Sequence, residues 1–133
     1  MYAFSRFTPI AGALALFATT SLANAFEVAK YDEAAFKAAQ THGGAIVVHV
    51  TAPWCPTCKA QHAALDTIGS KPEFAKVRLF EVDFDSQKDG LKALKASQQS
   101  TLIAFNGAVE TGRVVGATQA DALEAVVAGT MKR

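Results

Sequence analysis

Residues 45–59 read Ala-Ile-Val-Val-His-Val-Thr-Ala-Pro-Trp-Cys-Pro-Thr-Cys-Lys, and this stretch decides the fold. Its first seven residues are nearly all apolar and rich in β-branched side chains, which is typical of a strand buried on both faces. Pro56 suits the first position of a helix, where its missing N–H costs nothing, and the pattern stays helical to about Ile68. The stretch therefore predicts a central strand that runs directly into a helix, with Cys55 and Cys58 at the junction.

The rest of the chain alternates short strands and helices around this unit. Asp32 is a predicted N-cap for a helix to about Gln40, which Gly43-Gly44 ends. Ser70 to Glu73 and Ser86 to Asp89 have the spacing of capping boxes, the second opening a weak helix to about Ala96. Further strands are predicted at residues 26–29, 77–83, 101–105 and 109–115, the last two joined around Asn106-Gly107, and a last helix is predicted from Thr118. This order predicts an α/β fold in which helices cover both faces of a central mixed β-sheet.

Residues 1–25 have the composition of a secretory signal peptide. They hold one charged residue, Arg6, then an apolar run over 10–17, and they end in Ala23-Asn24-Ala25, which has small residues where a signal peptidase requires them. We predict cleavage after Ala25, which leaves a single domain over 26–133 in the periplasm or another exported compartment. A retained membrane anchor is the alternative, but the apolar run is shorter than the roughly 20 residues that span a bilayer.

The charge balance indicates no strongly charged partner. The chain has 13 basic and 12 acidic residues, so loss of Arg6 with the signal peptide leaves equal numbers of each. Such a balance favours neither nucleic acid nor an anionic membrane surface as a partner. We expect a monomer that needs no cofactor and has no membrane anchor after cleavage.

Both cysteines of the chain lie in the motif Cys55-Pro56-Thr57-Cys58. A disulfide across so short a loop constrains the unfolded chain little, so a purely structural role is a poor explanation. At the start of a helix, backbone N–H groups and the helix dipole stabilise a thiolate, and a cysteine one turn later can attack a mixed disulfide. The spacing predicts Cys55 as the exposed nucleophile and Cys58 as the buried resolving thiol.

The stretch from Val47 to Lys59 resembles the active-site strand and loop of the thioredoxin family. Residues 100–105, Asn106-Gly107 and 115–117 resemble the family's later strand, hairpin and glycine turn. The resemblance implies the thioredoxin fold and reversible dithiol–disulfide exchange with protein thiols and disulfides. It also implies that Trp54 shields the site and that Thr101 lies near the surface that docks substrate. Export to an oxidising compartment suggests either oxidation of clients or their reduction supported by a membrane electron donor.

Three positions depart from the family's pattern. Pro56-Thr57 replaces Gly-Pro between the cysteines and is nearer the glutaredoxin dipeptide, which leaves open both the direction of electron flow and the use of glutathione. Ser100 stands where the family has a cis-proline; a non-proline cis bond costs roughly 2.5–4 kcal/mol, so we expect a trans bond, a reshaped loop and a hydroxyl available to the bound sulfur. His49 and Glu81 stand where the family has a buried acid and a lysine.

The roles of His49 and Glu81 have two interpretations. In the first, His49 is a general base for Cys58 and Glu81 orients it. In the second, His49 is a core histidine bonded to backbone and Glu81 is a surface strand residue.

Two other function classes are possible. Cys55, Cys58 and His62 could bind copper or zinc once the proline is absent, although zinc usually takes four ligands in a closed site and His62 is more simply a solvent-facing helix residue. A redox-inert binding module is the third possibility, and the intact CxxC argues against it. Of these, a thiol–disulfide oxidoreductase acting as a reductant is the function that the sequence favours.

Overall fold

A computed structural model describes residues 25–132; the predicted signal peptide, apart from Ala25, lies outside them. Five strands and four α-helices follow one another in the chain. In order, they are β1 (Glu27–Lys30), α1 (Glu33–Thr41), β2 (Ala45–Thr51), α2 (Pro56–Gly69), a 3-10 turn (Pro72–Phe74), β3 (Arg78–Asp83), α3 (Lys88–Ala93), β4 (Thr101–Asn106), β5 (Val109–Val115) and α4 (Ala120–Gly129).

The strands form one mixed sheet in the order β1-β3-β2-β4-β5. β2 lies in the middle, parallel to β3 and antiparallel to β4, and its residues 46–50 are all buried. β1 pairs in parallel with β3 at one edge, and β5 pairs antiparallel with β4 at the other. The predicted α/β fold with a central strand at 45–51 is confirmed.

Alternation along β2 divides the core between the two faces of the sheet. Ile46, Val48 and Val50 pack with residues of α1 and α3, including Phe36 and Leu91. On the opposite face, Val47 packs with the apolar residues of α2 and α4, which are Leu65, Ile68, Leu123 and Val127. His49, two residues after Val47, therefore points toward α2.

The beginning of α1 agrees with its predicted cap. Asp32 Oδ1 accepts a hydrogen bond of 2.8 Å from the backbone N–H of Ala35, which satisfies one of the free donors of the first turn. His42 ends the helix, and Gly43 follows with a φ of +72°, a conformation that glycine adopts without steric cost.

The two predicted capping boxes are wrong. Ser70 is the C-cap of α2, and its hydroxyl donates to the carbonyl of Thr67 at 2.7 Å. Ser86 Oγ and its backbone N–H both donate to Asp83 Oδ1 at 2.7 Å, and these bonds hold the pKa of Asp83 below its usual range. In both cases the residue after the serine, Lys71 or Gln87, is the N-cap, and it makes no side-chain capping bond.

The weak helix α3 ends at Ala93, earlier than the predicted Ala96. Lys95 adopts a φ of +52°, which no helix can contain. The guanidinium of Arg113, from β5, donates to the carbonyls of Leu94 and Lys95 at 2.8 and 3.0 Å. These bonds satisfy carbonyls at the end of the helix and replace its next turn.

Candidate active site

Cys55 is the N-cap of α2 and is joined to Cys58 by a disulfide. The Cys55 sulfur accepts a hydrogen bond of 3.1 Å from the backbone N–H of Cys58, the third residue of the helix. Pro56 occupies the first helical position and Thr57 the second. The sulfur thus lies at the positive end of a 14-residue helix, with its partner cysteine one turn further on.

Cys55 is less accessible than the sequence predicted. It is only 4% exposed, and Cys58 is 1% exposed, because Ala52 and the partly buried Phe84 pack around both sulfurs. The expected asymmetry persists in a weaker form. Cys55 lines an open surface cavity of about 350 Å³ and Cys58 does not, so the disulfide is approached from solvent on the Cys55 side.

Trp54, next to Cys55 in the chain, is largely exposed. Its side chain is 57% exposed. The indole Nε1–H donates to Asp85 Oδ2 at 2.7 Å and so ties the active-site loop to the loop that follows β3. This bond fixes the position of the indole, and shielding of the disulfide by Trp54 stays a prediction.

Thr101 is buried at the start of β4. It is 2% exposed, and its hydroxyl donates to the carbonyl of Gln98 at 2.7 Å. As the first residue of β4, next to central β2, it is covered on both faces of the sheet. Thr101 therefore lies beneath the surface, and its place near the surface that docks substrate stays a prediction.

Ser100 places a hydroxyl between the two sulfurs. Its Oγ lies 3.1 Å from Cys55 Sγ and 3.2 Å from Cys58 Sγ, and a disulfide sulfur has no proton, so the hydroxyl is the donor. No peptide bond among residues 25–132 is cis, and Ser100 has a φ of +57°. Its N–H donates to the carbonyl of Val50 at 2.8 Å, which holds this left-handed residue against β2.

We expect Ser100→Ala to slow alkylation of reduced Cys55 at neutral pH by about tenfold, since a hydrogen bond to a charged group is worth about 1.5–3 kcal/mol. Losing the donor destabilises the thiolate and hence the reduced form, so the redox potential should also fall by about 30 mV. Stopped-flow alkylation and equilibration with glutathione measure the two effects. Ser97→Ala, at an exposed serine outside the site, is the matched control. An unchanged alkylation rate in Ser100→Ala would show that the hydroxyl does not support the thiolate.

Gln61 is a site residue that the sequence analysis missed. It is fully buried in α2, where it shares a stripe with Cys58, Leu65 and Ile68. Its Nε2 donates to the carbonyl of Ser100 at 3.1 Å and to the carbonyl of Ala117 at 2.8 Å. A polar residue at this position of an apolar helical stripe was the available signal.

The bonds of Gln61 determine the tautomer of His49. Both amide hydrogens of Gln61 are used on carbonyls, so its Oε1 accepts, at 2.9 Å, from the Nε2–H of His49. His49 Nδ1 then carries a lone pair, and this fully buried atom has no hydrogen-bond partner among the described residues. His49 is thus a core histidine bonded to a side chain, rather than to backbone as in the second interpretation.

Glu81 does not orient His49. The two residues are directly opposite in the β2–β3 register, but Glu81 Oε1 lies 3.3 Å from Nδ1 of His62, on α2. The other nitrogen of His62 lies 3.2 Å from Thr51 Oγ1, and the rings of His49 and His62 are 4.7 Å apart in an edge-to-face arrangement. The Glu81 carboxylate, which the sequence analysis paired with His49, therefore pairs with His62.

The side chains with metal-ligating atoms do not form the predicted set. Within residues 25–132, the one group of three that lies close enough is His49, His62 and Glu81, and neither cysteine belongs to it. The two ring nitrogens of His62 lie against Thr51 and Glu81. The metal site of Cys55, Cys58 and His62 is therefore not the one that the fold assembles.

Burial lowers the pKa of His49 from 6.5 to about 4, so the folded protein holds a neutral imidazole at neutral pH. His49 takes up its proton near pH 6.5 in the unfolded chain and near pH 4 in the folded chain. Above pH 6.5 the imidazole is neutral in both states, so it does not affect the free energy of unfolding. As the pH drops from 6.5 to 4, the unfolded chain binds the proton first, and the free energy of unfolding falls. We expect the free energy of unfolding to fall by about 3 kcal/mol over this pH range. Urea unfolding from pH 7.5 to 4, in buffer with a chelator, measures it.

The control for this pH dependence is His49→Gln, which keeps a donor for Gln61 and removes the titrating ring. Its pH dependence between 6.5 and 4 should be clearly shallower than that of the wild type. Equal slopes for the two proteins would contradict the assignment of the effect to His49.

Comparisons with known proteins agree with this geometry. The sequence model of the thioredoxin family matches residues 27–129. A thioredoxin of Echinococcus granulosus is 32% identical over 101 residues, which cover 76% of this chain and 92% of that protein. A putative thioredoxin-5 of Dictyostelium discoideum is 31% identical over 96 residues, covering 72% and 90%. The crystal structure of Trxlp from Edwardsiella tarda EIB202 superposes with a TM-score of 0.74 at 40% identity, covering 76% of this chain and 98% of that one.

Proposed function

The chain belongs to the thioredoxin family and is a thiol–disulfide oxidoreductase acting through Cys55 and Cys58, and from this premise we propose that it is an exported reductase of protein disulfides. The observation that carries the proposal is the Cys55 sulfur, which caps α2 and receives donors from the Cys58 backbone and the Ser100 hydroxyl. Both donors favour a thiolate when the disulfide is reduced.

In the proposed reaction, the Cys55 thiolate attacks one sulfur of a client disulfide. A bond forms between Cys55 and the client, and the other client sulfur leaves as a thiolate that takes up a proton. Cys58 loses its proton and attacks the Cys55 sulfur, which forms the Cys55–Cys58 disulfide and releases the second client thiol. The client gains two electrons and two protons, and the cysteine pair is oxidised.

The Ser100 hydroxyl lies within hydrogen-bond distance of both sulfurs, so it can donate to whichever one carries charge. Within this proposal, one side chain serves both halves of the exchange without moving to a new partner. His49 Nε2 is already bonded to Gln61, so its effect on Cys58 is indirect.

The small size of the domain supports the reduction of client disulfides rather than their formation. The described residues form one sheet with its flanking helices, and they contain no inserted helical subdomain for holding an unfolded client. In an oxidising compartment such a reductase requires a supply of electrons, and a membrane protein with reducing thiols is the class of donor that fits. The equilibrium potential tests this direction: a value near −270 mV supports a reductant, and one near −120 mV contradicts it.

Export is supported by the signal-peptide pattern of residues 1–25. Among residues 25–132, no helix is long and apolar enough to cross a bilayer. Expression of the full sequence in a Gram-negative host, followed by fractionation and N-terminal sequencing, should give a periplasmic protein that begins at Phe26. Ala25→Glu is the control that should block processing, and wild-type protein kept in the cytoplasm with residues 1–25 attached would refute export.

The activity itself is tested by insulin reduction with dithiothreitol as electron source. Cys55→Ser should show only the uncatalysed rate, because it lacks the attacking sulfur. Cys58→Ser should accumulate a mixed disulfide between Cys55 and the client, since the resolving step is missing. A trapped adduct on Cys58 in the Cys55→Ser protein would reverse the two roles.

A further inference from the structure

His49, His62 and Glu81 form a cluster that the disulfide exchange described above does not use. Each offers one ligand atom, and these atoms all lie within 4.8 Å of one another. His49 comes from β2, Glu81 from the neighbouring strand β3 and His62 from α2, which crosses above both. We propose that these three side chains bind a divalent transition-metal ion, Zn²⁺ being the best match, beside the redox-active disulfide.

The unpartnered Nδ1 of His49 points to a ligand. This atom is fully buried, and its lone pair has no hydrogen-bond partner among the described residues. A buried polar atom without a partner costs about 1–3 kcal/mol, and coordination of a metal ion removes that cost. An imidazole nitrogen without its proton is also the form in which histidine ligates zinc.

The other nitrogen of His49 is already arranged as in a metal site. Metal-ligating histidines usually donate their second N–H to a fixed acceptor, which orients the ring and selects the tautomer. Here Gln61 Oε1 is that acceptor at 2.9 Å, and Gln61 is itself held by the carbonyls of Ser100 and Ala117. A metal ion on Nδ1 leaves all these bonds unchanged.

His62 and Glu81 have the spacing of two ligands on one ion. Their Nδ1 and Oε1 atoms are 3.3 Å apart, and ligands about 2.0 Å from a tetrahedral zinc ion lie about 3.3 Å from each other. Both side chains are partly exposed, at 39% and 33%, so they can close on an ion above the fixed ring of His49. Two histidines and one glutamate complete three positions and leave the fourth to water.

The site has a route to solvent. His62 lines the open cavity that also contains Cys55, and Glu81 lines a neighbouring one; Thr51 and Asp83 border both. An ion can therefore reach the cluster without unfolding of the sheet. The predicted ligands contain no sulfur, so the site is available while Cys55 and Cys58 are joined.

Zinc titration of the oxidised protein tests the proposal. With the disulfide intact, isothermal titration calorimetry with ZnCl₂ at pH 7.5 should show one ion per chain. Glu81→Gln and His62→Ala should each weaken binding at least tenfold, whereas His42→Ala, which removes an exposed histidine at the end of α1, should bind as the wild type does. No uptake by the wild type, or equal affinity in all four proteins, would overturn the proposal.

His49 is tested without a substitution in the core. Two-dimensional ¹⁵N NMR of the imidazoles should show Nδ1 of His49 shifting with zinc while Nε2 keeps its proton. A His49 signal that does not respond to bound zinc would exclude it as a ligand and overturn the site. Because both measurements use the disulfide form without a thiol partner, these results do not depend on the proposed reductase function.

Discussion

Ser100→Pro is expected to lower the free energy of unfolding by about 4 kcal/mol or more. Proline fixes φ near −65°, but Ser100 has a φ of +57°, so the loop before β4 must be rebuilt. Proline also lacks the N–H that donates to the carbonyl of Val50 at 2.8 Å, and that buried acceptor is left without its partner. Urea unfolding at pH 7 measures the loss as a lower midpoint.

The matched control is Ser100→Gly, which also removes the hydroxyl but keeps the N–H and adopts a positive φ freely. We expect its stability to stay within about 1 kcal/mol of the wild type, because relief of backbone strain offsets the lost hydrogen bond. A proline variant as stable as the glycine variant would contradict the left-handed conformation at Ser100. This protein therefore cannot simply exchange its serine for the family's proline.

Gln61→Met is expected to cost about 3–4 kcal/mol. Methionine fills a similar volume in α2 but makes none of the three hydrogen bonds of the amide. The carbonyl of Ser100 still accepts a hydrogen bond from the N–H of Gly116. The Ala117 carbonyl and the Nε2–H of His49 are left without a partner, and each such buried group costs about 1–3 kcal/mol of stability. Unfolding in urea at pH 7 gives this difference directly.

Gln98→Met, the same substitution at an exposed position, is the control and should change the stability by less than about 0.5 kcal/mol. The lost bonds also free the loop that carries Ser100, so alkylation of reduced Cys55 should slow in Gln61→Met as well. A fully stable Gln61→Met protein would show that the buried amide is not the link between α2, the Ser100 loop and the turn before α4.

The burial and hydrogen bonding of His49 argue against its interpretation as a general base for Cys58. Its neutral form at neutral pH is set by burial, and its one hydrogen bond is to Gln61, so it has no direct path to Cys58. The residue that contacts both sulfurs is Ser100. We therefore expect the pH dependence of disulfide exchange to follow the cysteines themselves more than His49.

Local features of the sequence were enough to predict the main elements. The apolar run at 45–51 has the length and the β-branched side chains of a buried strand. Asp32 has a side-chain acceptor three residues before a free N–H, and Pro56 suits the first position of a helix. The position of Cys55 and Cys58 at the start of α2 followed from the same stretch. Each of these features depends on residues that are only a few positions apart, so it can be predicted from the sequence alone.

The partners of the polar side chains depended on the tertiary structure. Gln61 finds its acceptors 39 and 56 residues away, Trp54 finds Asp85, and Glu81 pairs with His62 instead of His49. A hydrogen bond requires atoms about 3 Å apart, and such distances are set by how α2 crosses the sheet, which no local pattern contains. The sequence by itself determined the strand, the helix and the reactive sulfurs; packing decided which side chains support them.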